Sequence, residues 1–312
     1  MPGMRNGLIF ALLCICAAGS FADAYQAVAR GGRFLGKLAI SVPEQPPAPQ
    51  DAQAEANYHS LPVLSQPVTK PTQPHPGQPR LAIIIDDIGN SIDLGKRTVA
   101  LPGKLTLAIL PKTPGANLLA EEGYAAGKQI MLHAPMSNYH ERALGPGGLT
   151  ETMDKGTFIT TLNADIDAIP HISGVNNHMG SLLTAQQQQM QWVMETLQQR
   201  HLFFIDSLTN SQSVAYRTAR EYGLQTDKRD VFLDHFRDEA AIEKAYRSAI
   251  RIAKLYGSSI AIGHPYPETL AVLERLLPEL TAENIELVHV SEILHLDKNQ
   301  QVTKNTEQIT QN

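Results

Sequence analysis

The chain has 312 residues, of which 43% are hydrophobic and 18% charged, enough apolar material for a sizeable core in one large domain or two modest ones. A formal net charge of -5, with no long run or groove of basic residues, excludes a general attraction to nucleic acid or to an anionic membrane surface.

In chain order, the first segment reads as an export signal. Arg5 precedes an apolar run over residues 8–18, and Ala22-Asp23-Ala24 supplies a small-x-small cleavage site, so residues 1–24 are taken as a signal peptide. The run reaches only about half of the roughly 20 residues that span a bilayer, which leaves an uncleaved anchor as the alternative. Both cysteines, Cys14 and Cys16, lie inside this segment and lack the preceding small residues of a lipoprotein site. The mature chain would then carry no thiol, which suits an oxidising compartment and excludes disulfides, cysteine nucleophiles and cysteine metal ligands. The expected location is secreted, in the periplasm, with no stable membrane span after cleavage.

Residues 25–79 are rich in proline, glutamine and alanine (PEQPPAPQDAQAEA, then QPVTKPTQPHPGQP) and show no helical or alternating apolar period. They read as a disordered, extended tether with polyproline II character, in which His59 and His75 are incidental.

After Arg80 the texture changes. Strands are expected at 81–86, 105–110, 129–133, 174–177, 202–206, 231–234, 260–263 and 286–290, with helices among the intervening segments at 115–126, 185–199, 238–256 and 267–280. Strands apolar on both faces, alternating with helices, imply a parallel sheet covered by helices. Seven or eight such units in about 215 residues fit one closed or nearly closed (β/α) barrel over 80–296 better than a doubly wound open sheet, which remains the alternative. Residues 297–312 are polar and aperiodic, a frayed tail, and the run Gln186 to Gln189 is a solvated helix face.

The chemistry is expected where polar residues interrupt these apolar runs. Asp86 and Asp87 close the first strand in RLAIIIDDIG, His133 the third in QIMLHAPM, and His178 follows the fourth in GVNNHMGS. Asp206 closes the fifth in FFIDS, Asp234 the sixth in RDVFLDH, and His264 the seventh in AIAIGHPYP. Carboxyl ends of barrel strands converge on one rim, so residues about 180 apart in sequence can share a pocket. Two adjacent acids are stable in such a cleft only with a cation between them or a proton on one. Taken singly, each residue has a structural reading: an Asp after a strand is more often a turn or helix cap, and Asp206 before Ser207 fits that role. Of the 11 histidines, His171, His201, His289 and His295 lack the rim placement, while His140 and His235 are spare candidates. Two imidazoles and a carboxylate with an open fourth position make a catalytic zinc site, and the absence of cysteine turns it toward hydrolysis.

In this order the motifs IIIDDIG, LAILP, IMLHAPM, GVNNHMGS, FFIDSLT, RDVFLDH and AIAIGHPYPETL resemble the divergent polysaccharide deacetylases, the YibQ-like branch of the NodB-type carbohydrate deacetylase superfamily, over residues 80–294. The resemblance implies a distorted (β/α) barrel and a divalent metal, most commonly Zn2+, that serves removal of acetyl groups from N-acetylated sugars. It makes Asp86 the general base, His264 the general acid, and Asp87 and His133 metal ligands. The second histidine of the usual His-x-x-x-His motif falls on Ser137, a departure; His178 is the expected replacement, giving Asp87, His133 and His178 as the triad. Asp206 and Asp234 are expected to orient the histidines, Arg229 and Asp230 to pair near the rim or hold a loop, and Asn177, Ser207 and Tyr266 to contact sugar or water. Tyr139 and Phe236 join Tyr266 as possible stacking rings.

The expected activity is therefore a metal-dependent hydrolase acting on a cell-envelope glycan, a polymer of N-acetylated sugar. Two alternatives stand beside it. One is a glycan-binding or scaffold protein whose catalysis has decayed, motivated by Ser137; the other is a metal-free glycoside hydrolase pairing Asp86 with Asp206 or Asp234.

Overall fold

The sequence RLAIIIDDI, apolar on both faces, forms the strand from which the sheet is built. A computed structural model of the protein describes residues 77–294; the expected signal peptide, nearly all of the tether and the polar tail lie outside the described residues. The elements are β1 (Arg80–Ile88), α1 (Ile92–Ala100), β2 (Thr106–Ile109), α2 (Ala116–Ala125), β3 (Gln129–Met136), α3 (Lys155–Asp167), β4 (Ile172–Met179), α4 (Gln187–Gln199), β5 (Phe203–Asp206), α5 (Ala215–Glu221), β6 (Thr226–Lys228), β7 (Val231–Phe232), α6 (Glu239–Tyr256), β8 (Ser258–Gly263), α7 (Pro267–Leu276) and β9 (Glu286–Val288). Among the described residues, no helix is long and apolar enough to cross a membrane.

The helix ends follow from local chemistry. Ser91, Asp154 and Asp238 cap α1, α3 and α6 by accepting from backbone N–H groups of the first turn. Gly257, with φ 90°, ends α6 in the left-handed conformation, and Pro267 occupies the first turn of α7.

All strand pairs are parallel, in the order β6-β5-β4-β3-β2-β1-β8-β7. Read cyclically this is plain sequence order, with β8 returning to β1, which is the order of a barrel and not the reversal of a doubly wound sheet. The two end strands, β6 and β7, follow each other in the chain and are separated only by Arg229 and Asp230. Their backbone N–H groups donate to Asp206 O and Ile260 O, on the strands next to either end. The chain itself thus steps from one edge of the sheet to the other and curls it into an incomplete, distorted (β/α) barrel. The short β9 lies beside the start of β1, at Arg80 to Ala82, and β2 takes over from Ile84.

Alternation sorts the side chains. Leu81, Ile83, Ile85, Leu107, Ile109, Leu132, Val175, Phe204 and Ala261 face outward and join the core shared with the helices. Ala82, Ile84, Ala108, Met131, Phe203, Ile205, Ile260 and Ile262 form a second cluster, closed by Val288, Val290, Ile293 and Leu294. This second set fills the barrel interior, and burial of each large aliphatic side chain there contributes about 1.5–3 kcal/mol. The inward parity that carries Ala82 and Ile84 leads next to Asp86, and the same step beyond Met131 leads to His133. The cleft is the polar continuation of an apolar plug.

Three expectations change in detail. β3 and β4 run past the residues where polarity suggested they end, so His133 lies inside its strand and not at its close, and His178 lies within its strand and not after it. Asp234 follows β7 by two residues. The polar three-residue strand β6 was not anticipated, because Thr226–Lys228 carries no apolar alternation.

Asp165, on α3, is fully buried, 2.7 Å from Lys112 Nζ, and beside Gly147, where a Cβ would stand 2.4 Å from both its carboxylate oxygens. Neither oxygen is met in hydrogen-bonding geometry, and burial raises the carboxyl to about 6 against the pull of Lys112. The folded chain holds this proton more tightly than the unfolded chain, so the stability it lends is complete below about pH 4 and is lost as the pH rises through about 6. Asp165→Asn is expected to gain about 1–3 kcal/mol relative to the unaltered protein between pH 4 and pH 7.5. Urea unfolding of both proteins at the two pH values measures this; a difference independent of pH would assign the titration to another group.

Candidate functional site

Neighbouring side chains on a regular strand point to opposite faces, so Asp86 and Asp87 should not share a cleft. They do because β1 breaks its own pattern. Ile85 pairs with Leu107 but Ile88 pairs with Ile109, so three steps on β1 oppose two on β2, a bulge that falls on the two aspartates. Asp87 takes φ 58°, a left-handed conformation that costs a non-glycine residue roughly 1–2 kcal/mol. Gly89 then completes the turn at φ 132°, with Thr113 Oγ1 2.0 Å from where a Cβ would lie, so only glycine fits. The strain turns the second carboxylate toward the barrel mouth.

There Asp87 meets two imidazoles. Its Oδ1 lies 2.8 Å from His178 Nδ1 and 3.2 Å from His133 Nε2, and the two ring nitrogens are 3.2 Å apart. Asp87 Oδ1 is shut off from solvent yet accepts no well-directed hydrogen bond, despite the short distances. Among the described residues these three form the one set of His, Cys, Asp or Glu atoms close enough together to hold a metal ion. Ligands about 2.0–2.1 Å from a tetrahedral cation stand roughly 3.3 Å from each other, so the donor set fits a small divalent ion. Burial pushes the Asp87 carboxyl up, but His178, His133 and His264 outweigh it and hold the group well below its ordinary value.

Asp86 lies one step deeper, almost fully buried. Its Oδ1 accepts from Asn176 Nδ2 at 2.8 Å, and its Oδ2 is 3.6 Å from His133 Nε2. Burial raises its carboxyl above the ordinary value and Asp87 adds to this, against the opposing pull of His133, His264 and Asn176. Burial lowers His133, but Asp86 and Asp87 together leave it raised.

On the opposite side, His264 follows β8 directly, with Nε2 3.9 Å from Asp87 Oδ2. Asp234 holds it: one carboxylate oxygen is 3.0 Å from Nδ1, while the other accepts from His264 N at 2.6 Å and from Thr269 Oγ1 at 2.8 Å. Burial lowers the imidazole, and Asp234, with help from Asp87 and Asp86, more than reverses this, raising it to about 10. The rings of Phe232 and Tyr266 lie 5.3 and 5.4 Å from it.

The remaining sequence candidates have other tasks. Asp206 shares the outward face of Phe204, so it points away from the histidines it was expected to orient. Its oxygens accept from Leu208 N, Ser213 Oγ and Tyr216 N, which fastens its own loop and the start of α5. Arg229 donates to Ser207 O and Leu208 O, and Asp230 accepts from Ile260 N, so both secure the seam between β6 and β7. Asn177 and Ser207 are buried and engaged internally: Asn177 Oδ1 accepts from Ser207 N, Asn177 Nδ2 donates to Met179 O, and Ser207 Oγ accepts from Asn176. One face of the Tyr266 ring is covered by the Arg237 guanidinium at 3.7 Å. Ser137 is buried and donates to Glu151 Oε2 at 2.6 Å. Tyr139 and Phe236 are exposed.

Asn176 was missed. Its Oδ1 is 2.8 Å from His133 Nδ1 while its amide nitrogen reaches Asp86. Strand parity could have found it, since Asn176 and Asn177 must point to opposite faces and only one of them shares the inward face of His178.

The sequence of the family model for divergent polysaccharide deacetylases matches residues 83–294, and the chain belongs to that family. An uncharacterised protein of Haemophilus influenzae is 37% identical over 221 residues, covering 71% of this chain and 79% of its own length. The uncharacterised protein YibQ of Escherichia coli K12 is 35% identical over 216 residues, covering 69% and 67% respectively. Among solved structures, an uncharacterised protein from Agrobacterium tumefaciens C58 superposes with a TM-score of 0.67 at 25% identity, over 69% of this chain and 89% of that one.

In protein without added metal, Asp234→Asn is expected to bring His264 down from about 10 toward the ordinary imidazole value of about 6.5. NMR titration of the ring reads this directly, and an unmoved midpoint would remove Asp234 as the dominant partner.

Proposed function

We propose that the cleft hydrolyses the N-acetyl amide of an amino sugar in a cell-envelope polysaccharide, using a divalent cation, zinc by its donor set, held by Asp87, His133 and His178. The observation that carries the reading is the buried Asp87 Oδ1, which accepts no well-directed hydrogen bond yet lies 2.8 and 3.2 Å from two imidazole nitrogens. A cation bound there supplies Lewis-acid polarisation of the amide carbonyl and acidification of water.

The chain's own residues do the proton work. Asp86, its carboxyl raised by burial, takes the proton from the attacking water, and a base with a raised value is better matched to neutral pH than an ordinary carboxylate. His264 lies across Asp87 from His178 and His133, and Asp234 engages its Nδ1 so that Nε2 faces the cleft. It delivers a proton to the departing amine as the C–N bond breaks, giving acetate and a free amino sugar. Exposed Tyr139 and Phe236, with half-buried Tyr266, supply apolar surface at the mouth for sugar rings. The expected export signal, and the thiol-free chain its removal would leave, support a periplasmic location for this activity.

Acetate release from N-acetylated glycans, measured with zinc content, tests the assignment. Asp86→Asn is expected to keep stoichiometric zinc and lose about 10²–10⁴-fold in turnover. His178→Ala is expected to lose the zinc, and a chelator to abolish turnover that added zinc restores. Full zinc occupancy in His178→Ala would break the triad. Tight glycan binding without turnover at any zinc loading would favour the decayed, glycan-binding reading, and chelator-resistant release of reducing ends the glycoside hydrolase.

A further inference from the structure

Asn176 is fully buried in the middle of β4, in register with His133 on β3. One amide group touches three members of the cleft: Oδ1 is 2.8 Å from His133 Nδ1, and Nδ2 is 2.8 Å from Asp86 Oδ1 and 3.2 Å from Ser207 Oγ. With Asp86 ionised, the form in which it can accept a proton, only one orientation of the amide serves all three. Reversed, its oxygen would face the Asp86 carboxylate, two acceptors at hydrogen-bond distance with no proton between them.

We infer that Asn176 is a positioning residue that fixes the tautomer of His133 and the orientation of the Asp86 carboxylate together. An amide oxygen can only accept, so the ring nitrogen facing it, Nδ1, must carry the hydrogen. A neutral imidazole has one N–H, which leaves Nε2, 3.2 Å from both Asp87 Oδ1 and His178 Nδ1, with its lone pair on the side of the donor set, as a metal ligand requires. The other tautomer would place an N–H among the donor atoms and close the set. The same side chain engages Oδ1 of Asp86 and leaves Oδ2, on the His133 side, to receive a proton. The groups that hold the cation and the group that deprotonates water are thus aligned by one amide that touches neither cation nor substrate.

The catalytic consequence rests on the metal-dependent reading above, but the tautomer is measurable without metal or substrate. Long-range nitrogen-proton NMR correlation of the metal-free protein, recorded at alkaline pH where the ring is neutral, is expected to show His133 with its hydrogen on Nδ1. Asn176→Leu, similar in volume, is expected to lose that preference and to bind zinc about 10–100-fold more weakly. Asn176→Asp keeps an acceptor for Nδ1 but no donor for Asp86. It is expected to retain the tautomer and to hold zinc within about tenfold of the unaltered protein, while kcat falls about 100-fold with KM nearly unchanged. An Nε2–H tautomer in the unaltered protein overturns the inference, as does undiminished zinc affinity with a retained Nδ1–H in Asn176→Leu. Should the leucine variant fail to fold, loss of the Nδ1–H tautomer in Asn176→Asp overturns it equally. An Nδ1–H tautomer in a protein that binds no zinc would support the positioning role and overturn the hydrolase reading instead.

Discussion

The architecture of the cleft depends on a single irregularity, the bulge that lets consecutive aspartates at the end of β1 face the same way. In an unbroken strand Asp86 would enter the barrel and Asp87 would turn toward the helices. The extra residue opposite β2 and the left-handed Asp87 redirect the second carboxylate, and Gly89, with no room for a Cβ, keeps the turn tight. The conformational cost of roughly 1–2 kcal/mol is small beside the burial of the strand that imposes it: Leu81, Ile83, Ile84 and Ile85 are all fully buried. A strand anchored so firmly on both faces can hold its last residues in an unfavourable shape.

Once both acids share the mouth, charge decides how the site is finished. Two carboxylates and three imidazoles are packed into little space, and their ionisation is divided unevenly: Asp86 is raised, whereas Asp87 is held well below its usual value by the histidines around it. Neighbours of the same type acquire opposite character because one lies deeper and touches an amide, and the other sits among the rings. Asp234 performs for His264 what Asn176 performs for His133, fixing which nitrogen faces the cleft. The difference is charge. A carboxylate partner pulls strongly toward imidazolium, suited to donating a proton, whereas a neutral amide pulls the same way only weakly and sets which nitrogen keeps the hydrogen when the ring is neutral.

Much of this was legible in the chain. Apolar runs separated by helical segments predicted parallel strands under helices, and polar residues at the ends of those runs marked Asp86, Asp87, His133, His178, Asp234 and His264, all of which the structure brings to one mouth. What failed was face, not position. Asp206 lies at a strand end like the others, but it follows Ile205 by one and so falls on the outward side with Phe204, where it anchors the start of α5. Asn177 and Asn176 were confused for the same reason. Period-two parity would have separated both pairs, and it would have failed at Asp87, where a bulge invisible in composition reverses it. β6 escaped notice because an edge strand of three polar residues has no alternation to display.

The departure at Ser137 also finds a physical account. β3 continues to Met136, and Ser137 N and Leu149 N pair this segment with the returning loop, donating to Leu149 O and Pro135 O. The Ser137 hydroxyl is committed to Glu151, so the position anchors the loop. His178 arrives instead from the adjacent strand, in register with Pro135, and on the same inward face as Asn176. Two histidines on neighbouring strands are fixed by the hydrogen-bond ladder of the sheet, whereas a strand and a loop would depend on how the loop packs. Nothing about Ser137 therefore argues that the donor set is incomplete. In the proposed site the second imidazole comes from a rigid element, and β4, which carries Asn176, Asn177 and His178 in succession, would supply the tautomer, the loop anchor and the third donor from one strand.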